Sequence, residues 1–423
     1  MTNLHRFREP SATEAIYLKT ATQVISRSRV AGPITPAQFA TALAGLESRY
    51  VILRAAIWDG HFTRLPGDRV TPVKWLSGVQ VDAVYETLLD TPLDLAHGIY
   101  TATVLDHGDG FDVFLVTSHA VTDATSLVEI HAFLIYLCDC AVRGAVPEIT
   151  QQPFPDDIDN AVARCLALLG DRAAPARAPA AYAGPYLRLP AFEHAAPAAF
   201  RYRLHRLEIP PAEMRHIIEA AHAHHVSLHS LLAAAFALAI RDLSEVTAPR
   251  ILVRSSVDLR RRLEPHLPVD LVFSAVTGHI TPVEDLAGSI FDIGKRVYAD
   301  IHGASADGRI FRDYENYPRA FGQPSDAPVA INISDMGVIA FHAEMQALRA
   351  TGFEYATGLM KTYPNVSITI FEGELVATIV YAEAFLAADT IARLAEGGGG
   401  AVAPCGGDGM QRDLAAGIYL RFV

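Results

Sequence analysis

Two hairpin patterns, one in each half of the chain, constrain the fold more than any other feature. Residues 98–121, GIYTATVLDHGDGFDVFLVTSHAV, form two alternating runs joined at His107-Gly108-Asp109-Gly110, a turn favoured between antiparallel strands. Residues 366–382, VSITIFEGELVATIVYA, belong with their neighbours to a β-rich end of the second half. Helical patterns surround both. In the first half they fall on SATEAIYLKTATQVI, on ITPAQFATALAGLESRY with Thr35 as cap and Pro36 first, and on VDAVYETLLDTP. Ser126-Leu-Val-Glu129 reads as a capping box opening a helix to Val142. In the second half, PPAEMRHIIEAAHAH, the nearly all-apolar LHSLLAAAFALAIRDL capped by Ser227, and EDLAGSIFDIGKRVYADIH read as helices. FRYRLHRLEI, RILVRSSVDL and VAINISDMGVIAF read as strands. Helices with antiparallel hairpins in both halves predict an α+β fold of two similar lobes. The Ala/Pro-rich stretch before residue 200 has no periodicity. It divides the chain into a first lobe over 1–175, a crossover over 176–200 and a second lobe over 201–423.

At 423 residues the chain exceeds one compact core, and 51% hydrophobic against 19% charged content places it among well-buried globular proteins. A net charge of −12 supplies no basic field for nucleic acid. Cys138, Cys140, Cys165 and Cys405 have neither zinc spacing nor disulfide density. With charges scattered through MTNLHRFREPSATEAIYLK, no signal peptide is expected, and the cytoplasm is the expected location. The longest apolar run, LLAAAFALAI, is too short to span a bilayer. His222, His224, His225 and His229 straddle a helix break and have no carboxylate or thiolate beside them, so no metal site is expected. The glycine-rich AEGGGGAVAPCGGDGMQRDL lacks a phosphate-loop ending and reads as a flexible tail.

The chemistry concentrates where DVFLVT runs into Ser118-His119, with Asp123 one short loop later. Spacing alone does not single this pair out, since His266 and Asp270 repeat it in a proline-containing loop. Position does. Strand alternation puts His119 in the row of Val113, Leu115 and Thr117, so it leaves an apolar face at a strand mouth. A histidine facing a cleft there suits a general base. Asp123 would accept loop amides or pair with an arginine, fixing the loop without moving the proton. No G-x-S-x-G nucleophile motif is present.

SHAVTDA, residues 118–124, resembles the HHxxxDG motif of the condensation-domain superfamily that includes chloramphenicol acetyltransferase. FATALAGLESRYVILRAAI resembles that family's first-lobe helix and strand, and TPLDLAHGIYTATVL its P-[FL]-D-L-x-x-G-P stretch. VDLRRRLEPHLPVDLVFS is similar to the second-lobe V-D-x-R-x-R-L-x-P-x-L-P signature. INISDMGVI is similar to the S-N-x-G segment of standalone polyketide-associated, phthiocerol dimycocerosyl transferase-like acyltransferases. Three positions depart from these patterns: Ser118 replaces the first histidine, Ala124 the closing glycine, and Asp335 the asparagine.

The resemblance implies two chloramphenicol acetyltransferase-like lobes, each a mixed sheet with helices, and an active-site channel between them. It implies an acyltransferase working in secondary-metabolite or lipid biosynthesis. The acyl group would leave a thioester, on coenzyme A or a carrier-protein pantetheine arm, for a hydroxyl or amine acceptor. That thioester is a co-substrate; no resident cofactor is implied. His119 would be the base, and Arg260 a two-pronged partner of Asp123 joining the lobes. Ser118 and Ser334 would contact substrate, with Ser334 or backbone amides facing the oxyanion; His229, read from its place in the first turn of the buried helix, either lines a substrate tunnel or is a satisfied core histidine. The same fold also serves as a cyclisation or pericyclase-type catalyst or as a non-catalytic carrier-protein binding partner.

Overall fold

The strands gather into sheets whose order differs from their order along the chain. The computed structural model describes residues 5–67, 71–177, 179–192, 201–320, 329–341, 344–358 and 361–397. The first stretch carries β1 (Arg6–Arg8), α1 (Ala12–Lys19), β2 (Gln23–Ala31), α2 (Pro36–Arg49), β3 (Ala55–Trp58) and β4 (His61–Arg64). Then come β5 (Val73–Ser77), α3 (Val81–Leu89), β6 (Tyr100–Asp106), β7 (Gly110–Ser118), α4 (Ala124–Arg143) and α5 (Asp159–Leu169). The next stretch carries β8 (Tyr202–Ile209), α6 (Pro211–Ala223), α7 (Leu228–Leu243), β9 (Arg250–Asp258), β10 (Val276–Glu284) and α8 (Ile290–Ala306). The last carries α9 (Arg309–Ala320), β11 (Ile331–Ile339), β12 (Arg349–Thr357), β13 (Asn365–Phe371), β14 (Glu374–Ala382) and α10 (Ala388–Glu396).

These elements form two compact units, and neither is one continuous stretch of chain. Unit 1 holds residues 1–164 with 258–276 and 338–357; unit 2 holds 165–257, 277–337 and 358–423. A linear division near residues 176–200 therefore misses two excursions that return to unit 1. The reason is pairing: β12 finds its strand partner in β2, antiparallel from Arg349↔Ala31 to Thr357↔Val24.

Unit 1 is built on a five-stranded sheet in the order β12-β2-β7-β6-β5, beside a small β1-β4-β3 sheet. Helix α4 covers one face of the larger sheet, where its buried His131 lies 2.8 Å from the hydroxyls of both Ser26 and Ser28. On the other face Tyr85 of α3 meets Phe114 edge-on. Covered on both sides, β7 is buried at every position, which accounts for its near-continuous apolar sequence. The β6–β7 turn falls where His107-Gly108-Asp109-Gly110 predicts it, with Gly108 in the left-handed region at φ 90°.

Two helix boundaries differ from expectation. Helix α1 stops at Lys19, and Ala21 turns the chain through φ 48°, so Gln23-Val24-Ile25 open β2 rather than closing the helix. Strand partners on both edges of β2 outweigh the helical pattern. Helix α4 starts three residues earlier than Ser126: Asp123 is the cap, its carboxylate accepting the Ser126 amide at 3.0 Å. By length and composition α4 could cross a membrane, but 56% of that stretch is buried inside the protein.

Unit 2 carries a six-stranded sheet, β10-β9-β11-β13-β14-β8, mixed in direction: β9 pairs parallel with β11 and β13 antiparallel with β14. The nearly all-apolar α7, capped by Ser227, lies in its core, where Leu231, Phe236 and Ile240 share one buried cluster with Ile251 and Val253 of β9. Strand β10 and helix α9 were not legible as elements. The glycine-rich C-terminal stretch and Cys405 lie outside the described residues.

Candidate active site

His119 directly follows β7, and its loop is held at every residue. The His119 amide donates to Thr22 O at 2.9 Å, and the Val121 amide donates to Ser118 O at 3.1 Å. The buried Thr122 hydroxyl lies 2.6 Å from that of Thr117 and donates to Ser118 O at 3.3 Å. With the loop closed in this way, Thr122 O faces Nδ1 of His119 at 2.9 Å. A carbonyl only accepts, so Nδ1 carries the proton and the neutral ring keeps its lone pair on Nε2. The half-buried imidazole also stacks on Tyr17, centroids 4.3 Å apart and planes 14° from parallel.

Asp123 is buried and fully committed to structure. Besides the Ser126 amide on Oδ1, its Oδ2 accepts the Ala275 amide at 2.8 Å and Arg260 Nη1 at 2.7 Å. Burial pushes its carboxyl up, yet the Arg260 charge and hydrogen bond, with the two amides, outweigh that and hold it below the ordinary carboxylate value. Arg260 has no exposed surface. Its Nη1 also meets Asp258 at 3.2 Å, its Nη2 donates to Ser126 Oγ at 2.8 Å and Phe273 O at 2.7 Å, and its guanidinium lies 4.5 Å from the Phe273 ring centroid.

The Asp123–Arg260 contact thus spans 137 residues of sequence but is internal to unit 1, because residues 258–276 return there. The expected lobe-joining, two-pronged pair gives way to a single prong on the carboxylate. The second prong is drawn off by Ser126 and Phe273, which also hydrogen-bond to each other: the Ser126 hydroxyl lies 2.7 Å from Phe273 O and accepts the Phe273 amide at 3.1 Å. Ala124 is the first residue of α4 with ordinary helical backbone, so the position requires no glycine.

The other expected residues separate. Ser118 is 2% exposed, and its hydroxyl accepts the Ala120 amide at 3.4 Å, which places it in the loop's own framework. His229 and Ser334 both belong to unit 2. The β9–β11 register puts Ile333 beside Ser255, and alternation turns Ser334 and Asp335 to opposite faces of the sheet. Asp335 is the one near His229, at 3.7 Å. Sequence reasoning did not find Tyr17, Thr122, Ser126 and Phe273 as members of the His119 surroundings. Of these only Ser126 had a signal, and it was read as a cap. Among the described residues no group of three His, Cys, Asp or Glu side chains could hold a metal ion.

Residues 198–376 match the sequence profile of the phthiocerol/phthiodiolone dimycocerosyl transferase C-terminus. No curated protein sequence matches the chain. Among solved structures, polyketide synthase associated protein 5 from Mycobacterium tuberculosis is similar at a TM-score of 0.72 and 17% identity, over 92% of this chain and 96% of that one. Trichothecene 15-O-acetyltransferase from Fusarium sporotrichioides is similar at 0.67 and 12%, over 99% and 95%. The first condensation domain of the CDA synthetase is similar at 0.66 and 16%, over 100% and 98%. At these identities the likeness establishes the two-lobed condensation-domain and chloramphenicol acetyltransferase-like fold.

Proposed function

We propose that this chain, whose residues 198–376 match the phthiocerol/phthiodiolone dimycocerosyl transferase C-terminus profile, is a condensation-like acyltransferase that moves an acyl group from a thioester to a hydroxyl or amine. The donor would be coenzyme A or the pantetheine arm of a carrier protein, in secondary-metabolite or lipid biosynthesis. The observation that carries the reading is the His119 ring itself: Nδ1 donates to Thr122 O, which leaves the Nε2 lone pair as the base.

His119 Nε2 takes the proton of the acceptor O–H or N–H as that atom bonds to the thioester carbonyl carbon. The C–S bond then breaks, and the proton passes from Nε2 to the leaving thiolate. Thr122 O stabilises the transient imidazolium through Nδ1–H. The Asp123–Arg260 contact acts at one remove, by holding the loop that presents the ring. Direct transfer needs both substrates at one imidazole and no acyl-enzyme on this loop.

The test loads a carrier protein or coenzyme A with a radiolabelled acyl group and follows thiol release and product mass with a panel of alcohols and amines. His119→Ala should lower turnover by roughly 10²- to 10⁴-fold, with the unfolding temperature little changed. Turnover within twofold of the parent protein would remove His119 from the mechanism. Tight carrier binding with the thioester intact in every reaction would favour the non-catalytic reading instead.

A further inference from the structure

Unit 2 holds a serine, a histidine and an aspartate in series. Ser255 follows Ile251 and Val253 in the core-facing row of β9, and its hydroxyl lies 2.8 Å from Nε2 of His229 in the first turn of α7. On the ring's other side Asp335 Oδ2 lies 3.7 Å from Nδ1, while Asp335 Oδ1 accepts the Gly337 amide at 2.7 Å. The His229 side chain is 20% exposed and that of Asp335 5%. Ser255 is 1% exposed.

The carboxylate beside Nδ1 favours the proton there, so Nε2 accepts the Ser255 hydroxyl hydrogen. At 3.7 Å Asp335 Oδ2 stands just beyond hydrogen-bond reach of Nδ1, and catalytic contacts of this kind are often longer before substrate binds. A purely structural role for the contact is not required by the helix, because Ser227 already caps α7 through the Ser230 amide at 3.1 Å.

We propose that Ser255, His229 and Asp335 form a second acyl-handling centre in which Ser255 is a nucleophile toward narrow acyl thioesters and activated esters. The thioester class is taken from the function proposed above, but the residues are independent of His119. Ser255 Oγ bonds to the carbonyl carbon as its proton passes to His229 Nε2. The C–S bond breaks, and the thiolate leaves with that proton. Water then attacks the Ser255 ester and gives a proton to Nε2, the ester C–O bond breaks, and Oγ recovers the proton. The balance is thioester plus water to carboxylic acid plus thiol. With Ser255 1% exposed beside an imidazole that is 20% exposed, only a slender acyl group would reach Oγ.

Full-length protein is treated with a small fluorophosphonate and, separately, with the acetyl thioester of N-acetylcysteamine, and adducts are located by peptide mass. A single adduct on Ser255 is expected, absent in Ser255→Ala, slowed by roughly 10²- to 10⁴-fold in His229→Gln, slowed less in Asp335→Asn, and unchanged in His119→Ala. An adduct on any other residue, or labelling of His229→Gln at the parent rate, overturns the proposal. Should Ser255→Ala fold poorly, Ser255→Cys keeps the shape. Its alkylation by iodoacetamide should be faster than in the Ser255→Cys/His229→Gln double variant, and equal rates would again refute the site. Because His119→Ala removes acyl transfer and leaves this labelling, either reading can fail alone.

Discussion

Asp123 joins three parts of the chain with two oxygen atoms: the first turn of α4, the Ala275 amide and the Arg260 guanidinium. Removing the carboxylate leaves the buried guanidinium with only the partly exposed Asp258 as counter-charge, a loss of up to roughly 3–5 kcal/mol by comparison with other buried pairs. Asp123→Ala should therefore lower the unfolding free energy in urea by that amount. Asp123→Asn still caps the helix but gives up the charge, and should cost about 2 kcal/mol. Arg260→Lys should resemble it, because an ammonium cannot reach Asp123, Ser126 and Phe273 O together. Equal stability of all three variants with the parent would show the contact to be dispensable. Sequence pointed to Asp123 and Arg260 through motif order. It misread Ser126, because a capping box is a local pattern and takes no account of an arginine 134 positions away.

At the scale of elements, β12 depends on how its entry turn is held. Asp139 of α4, buried, accepts the amides of Gln346, Ala347 and Leu348 at 2.9, 2.6 and 2.9 Å and pairs with Arg143 at 2.7 Å. Burial raises its carboxyl, but those amides and Arg143 outweigh that and hold it below its ordinary value. Asp139→Asn presents an N–H₂ where amides need an acceptor, and should cost about 3 kcal/mol. Hydrogen exchange should speed up over residues 346–357 before it changes in β6 and β7; uniform loss of protection through unit 1 would contradict a local role. Gly32 closes the other side of this turn. At φ +103°, any Cβ there would meet Leu348 Cδ2 at 2.7 Å and Ala347 O at 2.9 Å. Gly32→Ala should destabilise by about 2 kcal/mol, read as a lower urea midpoint with an unchanged slope. A midpoint equal to the parent's would mean the turn yields freely.

Across the whole molecule, two buried histidines titrate in opposite senses. In unit 1, burial pushes His131 down to about 3. The unfolded chain then binds the proton more readily, so this histidine's contribution is complete above about pH 6.5 and falls away as the pH drops toward the folded value. In unit 2, burial lowers His279, but hydrogen bonds and charge from Asp300 and Asp313, at 2.9 and 2.6 Å, more than reverse it and the net value is raised. Its contribution is complete below about pH 6.5 and is lost as the pH rises through the raised value. Moving from pH 7 to pH 5 should cost unit 1 on the order of 2 kcal/mol through His131, measured by hydrogen exchange in β2 and β7. His131→Gln should flatten that dependence. Moving to alkaline pH should loosen unit 2 first, and His279→Gln should remove that effect. A parent protein whose two units share one pH profile would contradict both assignments.

What the sequence determined by itself was local: the hairpin turn at Gly108, the Thr35 and Ser227 caps, the buried α7, and a histidine at the exit of β7. Each rests on backbone preference or side-chain period over a few residues, and those preferences act before any distant contact forms. Motif order extended this to the fold family. Only the tertiary structure decided that residues 258–276 and 338–357 return to unit 1, that Gln23 begins a strand, and that Asp335 and Ser255 flank His229. Those outcomes depend on which strand finds a free edge and which buried polar atom finds a partner. Both are settled by hydrogen bonds between residues far apart in sequence, where no local pattern can specify the partner.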